Sequence, residues 1–219
     1  MDITRRAAIT GIAAGVAGSV ALTAAHGAES VKQYKNEDFY TNGEFDVEKA
    51  KQAYYDMMER FNYPIVDRLR TEEFWAVDFG MGKFTEVGMA GIFWVNNQED
   101  DYFGHEIYLL PGQMIPEHRH LQTADTRPKM EAWQPRHGWV YIYGEGDPTL
   151  GVEARIPPSH QECAVARTEQ QLMPGEVGML GGPEEWHWML AGPEGAIVTE
   201  YASYHADDAL RFSNPDVQF

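Results

Sequence analysis

The sequence predicts an all-β domain preceded by one helix, and three observations carry this prediction. From about Phe74 onward, apolar and polar residues alternate in short runs, as in strands with one buried face. Gly, Pro, Asn and Asp separate these runs, as expected of turns between antiparallel strands. Helical spacing of apolar residues occurs in residues 46–62. Short, regularly spaced strands of this kind favour an antiparallel barrel or sandwich.

Composition excludes several classes of protein. The chain has 219 residues, of which 43% are hydrophobic, and this is enough for one sizeable core and one domain. The formal net charge of −17 argues against nucleic acid and against anionic membrane surfaces as partners. The single cysteine, Cys163, excludes an internal disulfide and a zinc site built from thiolates.

Residues 1–28 have the pattern of a cleaved export signal. Arg5 and Arg6 precede an Ala- and Gly-rich apolar stretch, residues 9–25, that ends in small residues. The paired arginines resemble a twin-arginine signal, although Ala8 stands where an aromatic residue is frequent. The stretch is short and weakly apolar for a membrane anchor, which needs about 20 strongly apolar residues. We therefore expect a periplasmic or otherwise exported protein with no stable membrane insertion once the signal is removed.

Residues 29–73 are predicted to form a polar arm and a helix. The arm covers residues 29–45, Asp46 is a plausible N-cap, and Pro64 stops the helix. Apolar residues recur every three or four positions, so we expect one face of the helix to pack against the sheet. These residues are Ala50, Ala53, Tyr54, Met57, Met58 and Phe61.

Residues 74–219 are predicted to form the barrel as a single unit, because no internal repeat or long linker divides them. The predicted strands are residues 84–95, 105–110, 113–120, 138–146, 149–156, 164–168, 176–180, 186–190 and 196–204.

A segment between two of these strands carries candidate metal ligands. His118 and His120 are one residue apart, so in a strand both imidazoles project from the same face. The next strand runs back beside them, and Glu131 lies at its entrance. The spacing is Gly-x5-His-x-His followed by Glu-x6-Gly, at Gly112, His118, His120, Glu131 and Gly138.

This spacing resembles the first motif of the cupin superfamily, whose fold is a β-barrel or jelly roll. The second cupin motif places a histidine after a Pro-Gly turn, which Pro174, Gly175 and His187 match. The resemblance implies a divalent metal bound by His118, His120, Glu131 and His187.

The sequence "KMEAWQPRHG", residues 129–138, is similar to the Lys-x-Glu-Asp segment of the D-lyxose isomerase family, with Ala132 in place of the acidic residue. The stretches "ERFNYPI", "WHWMLA", "AIVTEYASYHADD" and "LRF" are also similar, so the likeness covers most of the chain after residue 28. Members are metal-dependent cupins. The resemblance implies Mn²⁺ as the cofactor, reversible conversion of D-lyxose to D-xylulose, and a homodimer.

Three imidazoles and one carboxylate also suit Fe²⁺, Zn²⁺, Co²⁺ or Ni²⁺, and the spacing does not choose between them.

An aldose–ketose isomerisation needs a Lewis acid and a group that takes a proton from one carbon and returns it to the next. Lys129 and Glu200 are the candidate catalytic residues. A nearby dication would lower the pKa of Lys129. Glu200 lies across from His187 if the connecting loop spans residues 191–196, and faces outward if that loop is one residue shorter.

Two other functions remain compatible with these features. A metal-dependent oxygenase of the cupin type would hold Fe²⁺ on the same ligands and would not need Lys129. Full activity of a Lys129→Ala variant would therefore favour it. A non-catalytic exported sugar-binding protein would bind pentoses without interconverting them.

The remaining histidines and several tryptophans have weaker assignments. We expect the histidines to form hydrogen bonds or to lie on the surface, and most of the tryptophans to be core, with one or two facing a sugar. The residues are His105, His137, His160 and His205, and Trp133, Trp139, Trp186 and Trp188.

Overall fold

The computed structural model describes residues 31–219, and the predicted signal peptide, residues 1–28, lies outside the described residues. Within this range, no helix has the length and apolar character needed to cross a membrane. In chain order the elements are β1 (Tyr40–Thr41), β2 (Glu44–Phe45), α1 (Val47–Arg60), β3 (Phe74–Val77), β4 (Met89–Asn97), β5 (Tyr102–Leu109), β6 (Met114–His120), β7 (Glu131–Gly144), β8 (Thr168–Leu172), β9 (Gly178–Met179), β10 (His187–Ala202) and β11 (Leu210–Phe212).

Helix α1 forms where the sequence predicts it and covers one face of the sheet. The Asp46 carboxylate accepts a hydrogen bond from the Lys49 amide at 3.2 Å, so the predicted N-cap is confirmed. The helix ends at Arg60, shortly before Pro64. Its apolar face is buried against the sheet, as the periodicity predicts. The buried helical residues are Ala50, Ala53, Tyr54, Met57 and Met58, which share a core with Phe74, Tyr108 and Ile197.

The polar arm before the helix contains a hairpin that the sequence analysis did not predict. Strands β1 and β2 pair antiparallel. The turn between them has positive φ at Asn42 (55°) and Gly43 (86°). An Asn-Gly pair is favoured in such two-residue turns because both residues tolerate this conformation.

An antiparallel sheet curls into a barrel around β10. The order across the sheet is β11-β6-β10-β5-β4-β3, and β7 pairs with β10, β8 and β9. The first part of β10 pairs with β6, its last part pairs with β5, and β7 follows it over most of its length. The predicted class, an all-β cupin barrel with an N-terminal helix, is confirmed. Its interior core includes Ile107, Val140, Met189 and Val198.

The predicted strand at residues 149–156 is wrong. Gly151 adopts a left-handed conformation (φ 81°) and begins a 3-10 helix, Val152–Ala154. Val152 and Ile156 are buried, so their spacing imitates the alternation of a strand although the backbone turns.

The predicted strand at residues 164–168 is also wrong, since β8 begins only at Thr168. The amides of Val165 and Ala166 donate to the buried carboxylate of Glu117, at 2.8 Å and 2.5 Å. A side chain thus takes the hydrogen bonds that a neighbouring strand would otherwise accept.

The predicted strands 186–190 and 196–204 are continuous in β10, so the loop expected between them is wrong. A bulge takes up the intervening residues, and the register between β10 and β7 shifts between Ala191 and Ala196. Glu200 faces the barrel interior after this bulge and is buried.

Gly138 lies opposite this bulge, and its replacement is expected to destabilise the fold. Its φ is +64°, and a Cβ would lie 1.9 Å from the carbonyl oxygen of Gly195. We expect Gly138→Ala to lower the free energy of unfolding by about 3 kcal/mol or more, because backbone strain and steric overlap add. Urea unfolding followed by circular dichroism measures the change. The control is Gly144→Ala on the same strand, where no described neighbour lies within 4 Å of the added Cβ. Equal stability of the two variants would contradict this expectation.

Candidate metal centre and active site

Strands β6, β7 and β10 bring the predicted metal ligands to one place in the barrel. His118 and His120 project inward together from β6, as alternation along a strand requires. His187 begins β10 directly opposite His118 in the ladder between the two strands. Glu131 begins β7, which starts earlier than the sequence predicted.

The four side chains converge closely enough for one cation. Each offers a ligand atom, and these atoms lie within 4.8 Å of one another. His120 Nε2 is 3.3 Å from Glu131 Oε1, and His187 Nε2 is 2.7 Å from Glu131 Oε2. His118 is partly exposed, and the other three are buried. The structure therefore groups all the residues that the sequence nominated as ligands, and the cluster can hold a metal ion.

Backbone carbonyls orient two of the imidazoles. His118 Nδ1 donates to the Pro116 carbonyl at 2.8 Å, and His187 Nδ1 donates to the Glu185 carbonyl at 2.9 Å. A neutral imidazole that donates from Nδ1 keeps a lone pair on Nε2. Burial also holds the pKa of His118 well below its ordinary value, which favours the neutral form. A hydrogen bond from the other ring nitrogen to a carbonyl is typical of histidines that bind metals.

Unpaired polar atoms test whether a cation fits the cluster. Among the described residues, no hydrogen-bond partner satisfies His120 Nε2, His187 Nε2 or Glu131 Oε2, although all three atoms are buried. The short contact between His187 and Glu131 does not have hydrogen-bond geometry. Buried polar atoms are nearly always paired, and a cation would accept these lone pairs. Imidazole nitrogen and carboxylate oxygen are donors that divalent transition metals accept, so the residues present fit such a metal.

Lys129 links this cluster to Glu200. Lys129 Nζ donates to Glu131 Oε1 at 2.7 Å and also to Glu200 Oε1. The second oxygen of Glu200, Oε2, accepts a hydrogen bond from His105 Nδ1 at 3.0 Å. All of these side chains are buried, so charge pairs here are weakly screened by solvent. Both predicted catalytic residues therefore lie beside the four candidate metal ligands.

Opposite charges control ionisation in this group. Burial alone would lower the pKa of Lys129, but Glu131 and Glu200 outweigh burial, so its pKa is raised. Burial alone would raise the pKa of Glu200, but the Lys129 ammonium outweighs it, so its pKa is lowered. Both carboxylates therefore favour the charged form of the lysine. Their effect on the pKa of Lys129 is opposite to that of a nearby dication, which would lower this pKa and favour the neutral amine.

The cluster lies in a cavity of about 70 Å³ with mostly apolar walls. Trp133 and Trp188 line it, whereas Trp139 packs on Gly192 and Trp186 lies under Arg119. The sequence analysis did not identify the other aromatic rings of the wall, because they come from distant strands and from the last residues of the chain. They are Trp75, Phe79, Phe93, Phe103, Phe212 and Phe219.

Two further histidines line the cavity outside the metal cluster. His105 bonds to Glu200, and His205 Nε2 lies 3.1 Å from Asp207 Oδ1. Hydrogen-bonding roles were expected for both, but their position in the cavity was not. The alternation of Phe103, His105 and Ile107 along β5 is the signal that places His105 on the inner face.

Comparisons with known proteins agree with this architecture. No protein-family model matches the chain. The D-lyxose/D-mannose isomerase of Thermosediminibacter oceani is 33% identical over 172 residues, which cover 78% of this chain and 93% of the relative. The D-lyxose ketol-isomerase of a Thermofilum species is 34% identical over 172 residues, with coverage of 78% and 93%.

Solved structures of low sequence identity share the fold. The L-ribose isomerase of Cellulomonas parahominis has a TM-score of 0.59 and 12% identity, over 76% of this chain and 90% of that one. The L-ribose isomerase of Acinetobacter sp. DL28, in complex with L-ribose, has a TM-score of 0.60 and 14% identity, over 78% and 92%. The fold, the clustered ligands and an identity of one third across nearly the whole length of the relatives establish that this chain belongs to the D-lyxose ketol-isomerase family.

Proposed function

We propose that this chain interconverts an aldose and a ketose, with D-lyxose and D-xylulose as the pair. Its relatives carry the names D-lyxose ketol-isomerase and D-lyxose/D-mannose isomerase. The observation that carries the proposal is the buried Lys129, which joins the metal cluster to Glu200 within one cavity. A metal site alone would serve many reactions, whereas a metal site beside a proton-transfer group fits isomerisation.

The cluster residues His118, His120, Glu131 and His187 would hold the cation. When bound, it supplies a Lewis acid that lowers the energy of negative charge developing on the sugar oxygens. The walls of the cavity are mostly apolar, which favours return of a removed proton to the sugar over its loss to solvent.

Glu200 is the proton-transfer group in this proposal. Its carboxylate has free lone pairs, whereas the Lys129 ammonium, held between two carboxylates, has none. Glu200 takes the proton from C2 of the aldose and returns it to C1. Lys129 gives a proton to O1 and recovers one from O2. One hydrogen thus moves from C2 to C1 and one from O2 to O1, and the product has the same atoms as the substrate.

Turnover of sugars by the purified protein tests the function. The protein is incubated with Mn²⁺ and D-lyxose, and D-xylulose is detected by NMR, followed by a panel of pentoses and hexoses. Formation of D-xylulose supports the proposal. Calorimetric binding of pentoses without conversion of any aldose would contradict it and favour a sugar-binding protein. Oxygen consumption that survives Lys129→Ala would contradict it in favour of an oxygenase.

Mn²⁺ is the cation in this proposal, supported by the nitrogen and oxygen donors and by the expected route of export. Mn²⁺ lies at the bottom of the affinity order of divalent metals. A protein that folds and loads its metal before export avoids competition from tighter-binding ions outside. Metal analysis of protein purified from the exported fraction tests this, and stoichiometric zinc without manganese would contradict it.

Mn²⁺ is expected to stabilise the folded protein through this cluster. At a free concentration 100 times the dissociation constant, binding adds about 2.7 kcal/mol, which raises the melting temperature by roughly 5–10 °C. A thermal scan with and without Mn²⁺ measures the shift. His120→Asn should abolish it, whereas His137→Asn, a control outside the cluster, should retain it. An equal shift in both variants would contradict the assignment.

Export by the twin-arginine route is part of the proposal and is supported by Arg5 and Arg6 before the apolar stretch. Cell fractionation and N-terminal sequencing test it. We expect an exported protein cleaved near Ala28, and retention of a variant with both arginines replaced by lysine. An unprocessed wild-type chain in the cytoplasm would contradict it.

A homodimer is the proposed assembly, supported by an apolar row on the outside of the barrel. Tyr201, Ala132 and Met179 are cross-strand neighbours on β10, β7 and β9. Met179 is 70% exposed, and Val177, just before β9, and Met173, just after β8, are also exposed. Exposed apolar patches are typical of protein contacts.

Analytical ultracentrifugation tests the assembly. We expect a dimer for the wild type and a monomer for Met179→Glu. Leu150→Glu is the control, since Leu150 is 98% exposed and lies elsewhere in the chain. A monomeric wild type would contradict the proposal.

A further inference from the structure

His105 and Glu200 form a buried pair across two neighbouring strands. They are direct partners in the ladder between β5 and β10, and His105 Nδ1 lies 3.0 Å from Glu200 Oε2. Both side chains line the cavity and are almost fully buried, at 5% and 4% exposure. A carboxylate only accepts hydrogen bonds, so Nδ1 carries the hydrogen of this bond.

The packing around His105 holds the ring at one angle. Trp75 stacks on it with ring centroids 5.7 Å apart, and Phe93 meets it edge-on at 4.9 Å. Behind the ring, a Cβ at Gly91 would lie 2.3 Å from His105 Nε2. The ring therefore depends on a glycine for its space.

An unpaired nitrogen accompanies this arrangement. Across the part of the chain that the structure describes, His105 Nε2 is buried without a hydrogen-bond partner. An unsatisfied buried polar atom destabilises the folded protein, and an apolar residue of similar size would avoid this cost. The hydrogen bond that Nδ1 donates to Glu200 is therefore what a histidine supplies here and an apolar residue would not.

We propose that His105 is a positioning residue for Glu200. It holds Oε2, so that Oε1, the oxygen beside Lys129, exchanges the proton with the sugar. Lys129 divides its hydrogen bonds between Glu131 and Glu200, whereas the Nδ1 hydrogen bond of His105 goes to Glu200 alone. This role rests on the proposed isomerase function.

Steady-state kinetics with D-lyxose and Mn²⁺ test the role. In His105→Asn, the amide nitrogen takes the place of Nδ1, so kcat should stay within about threefold of the wild type. His105→Leu removes the donor, and kcat should fall roughly 10–100-fold while KM changes little, as expected when a reacting group is misplaced. Gly91→Ala displaces the ring from behind and should also lower kcat. Gly144→Ala is the matched control and should not. Metal content should be unchanged in all four variants.

Each possible failure has a distinct meaning. A wild-type kcat in His105→Leu would overturn the positioning role, and so would an Asn variant as slow as the Leu variant. If His105→Leu does not fold, an unchanged kcat in Gly91→Ala would overturn the role. If the wild type converts no aldose, the proposed function fails first and the positioning role falls with it.

Discussion

Glu131→Gln is expected to lose its bound metal and its isomerase activity together. Glu131 Oε1 lies 3.3 Å from His120 Nε2, and Oε2 lies 2.7 Å from His187 Nε2. The neutral amide removes the one negative charge of the ligand set and directs an NH₂ group at the imidazoles or at a cation. We expect metal content near zero and a fall in kcat/KM of roughly 10³-fold or more, equal to about 4 kcal/mol. Metal analysis and kinetics measure both effects.

Glu153→Gln is the control for this variant, because Glu153 is an exposed carboxylate paired with Arg167. It should retain the metal and the activity of the wild type. Stoichiometric metal in Glu131→Gln would contradict the ligand assignment, even if activity were lost. Activity lost with the metal retained would place Glu131 in the chemistry rather than in metal binding.

Glu200→Gln is expected to keep the metal and lose proton transfer. The amide oxygen still accepts a hydrogen bond, so the shape of the cavity is preserved, but the amide does not take a proton from carbon. We expect kcat to fall by about 10²–10⁴-fold, the usual contribution of a general base. Transfer of deuterium from C2 of labelled D-lyxose to C1 of D-xylulose, followed by NMR, reports this step directly.

Metal content separates this variant from Glu131→Gln. The account expects a full complement of metal in Glu200→Gln, since Glu200 lies outside the four-residue cluster. Transfer of the C2 deuterium at the wild-type rate in this variant would assign proton transfer to Lys129 instead.

Local periodicity predicts most of this architecture. Helix α1 follows from its apolar spacing and from Asp46, and the inward pair on β6 follows from the alternation of side chains along a strand. The direction of Glu200 was not decidable, because it depends on how many residues the bulge before it absorbs. A single-residue change of register reverses every side chain of a strand, and the sequence does not show where a bulge lies.

Long-range contacts account for the rest. Residues 164–168 have a strand pattern, but Glu117, distant in sequence, takes their amide hydrogen bonds. The sequence does not predict the pairing of His105 with Glu200, because the two residues are on different strands. A sequence without relatives aligned to it carries no signal for such pairs, whereas the two ligands on β6 are neighbours in the chain.

Anomalous diffraction from crystals grown with Mn²⁺ is the most direct test of the central claim. The account predicts one strong manganese peak inside the barrel, at bonding distance from its ligand atoms. Those atoms are Nε2 of His118, His120 and His187 and one oxygen of Glu131. A peak held by other residues, or no peak inside the barrel at saturating Mn²⁺, would contradict it.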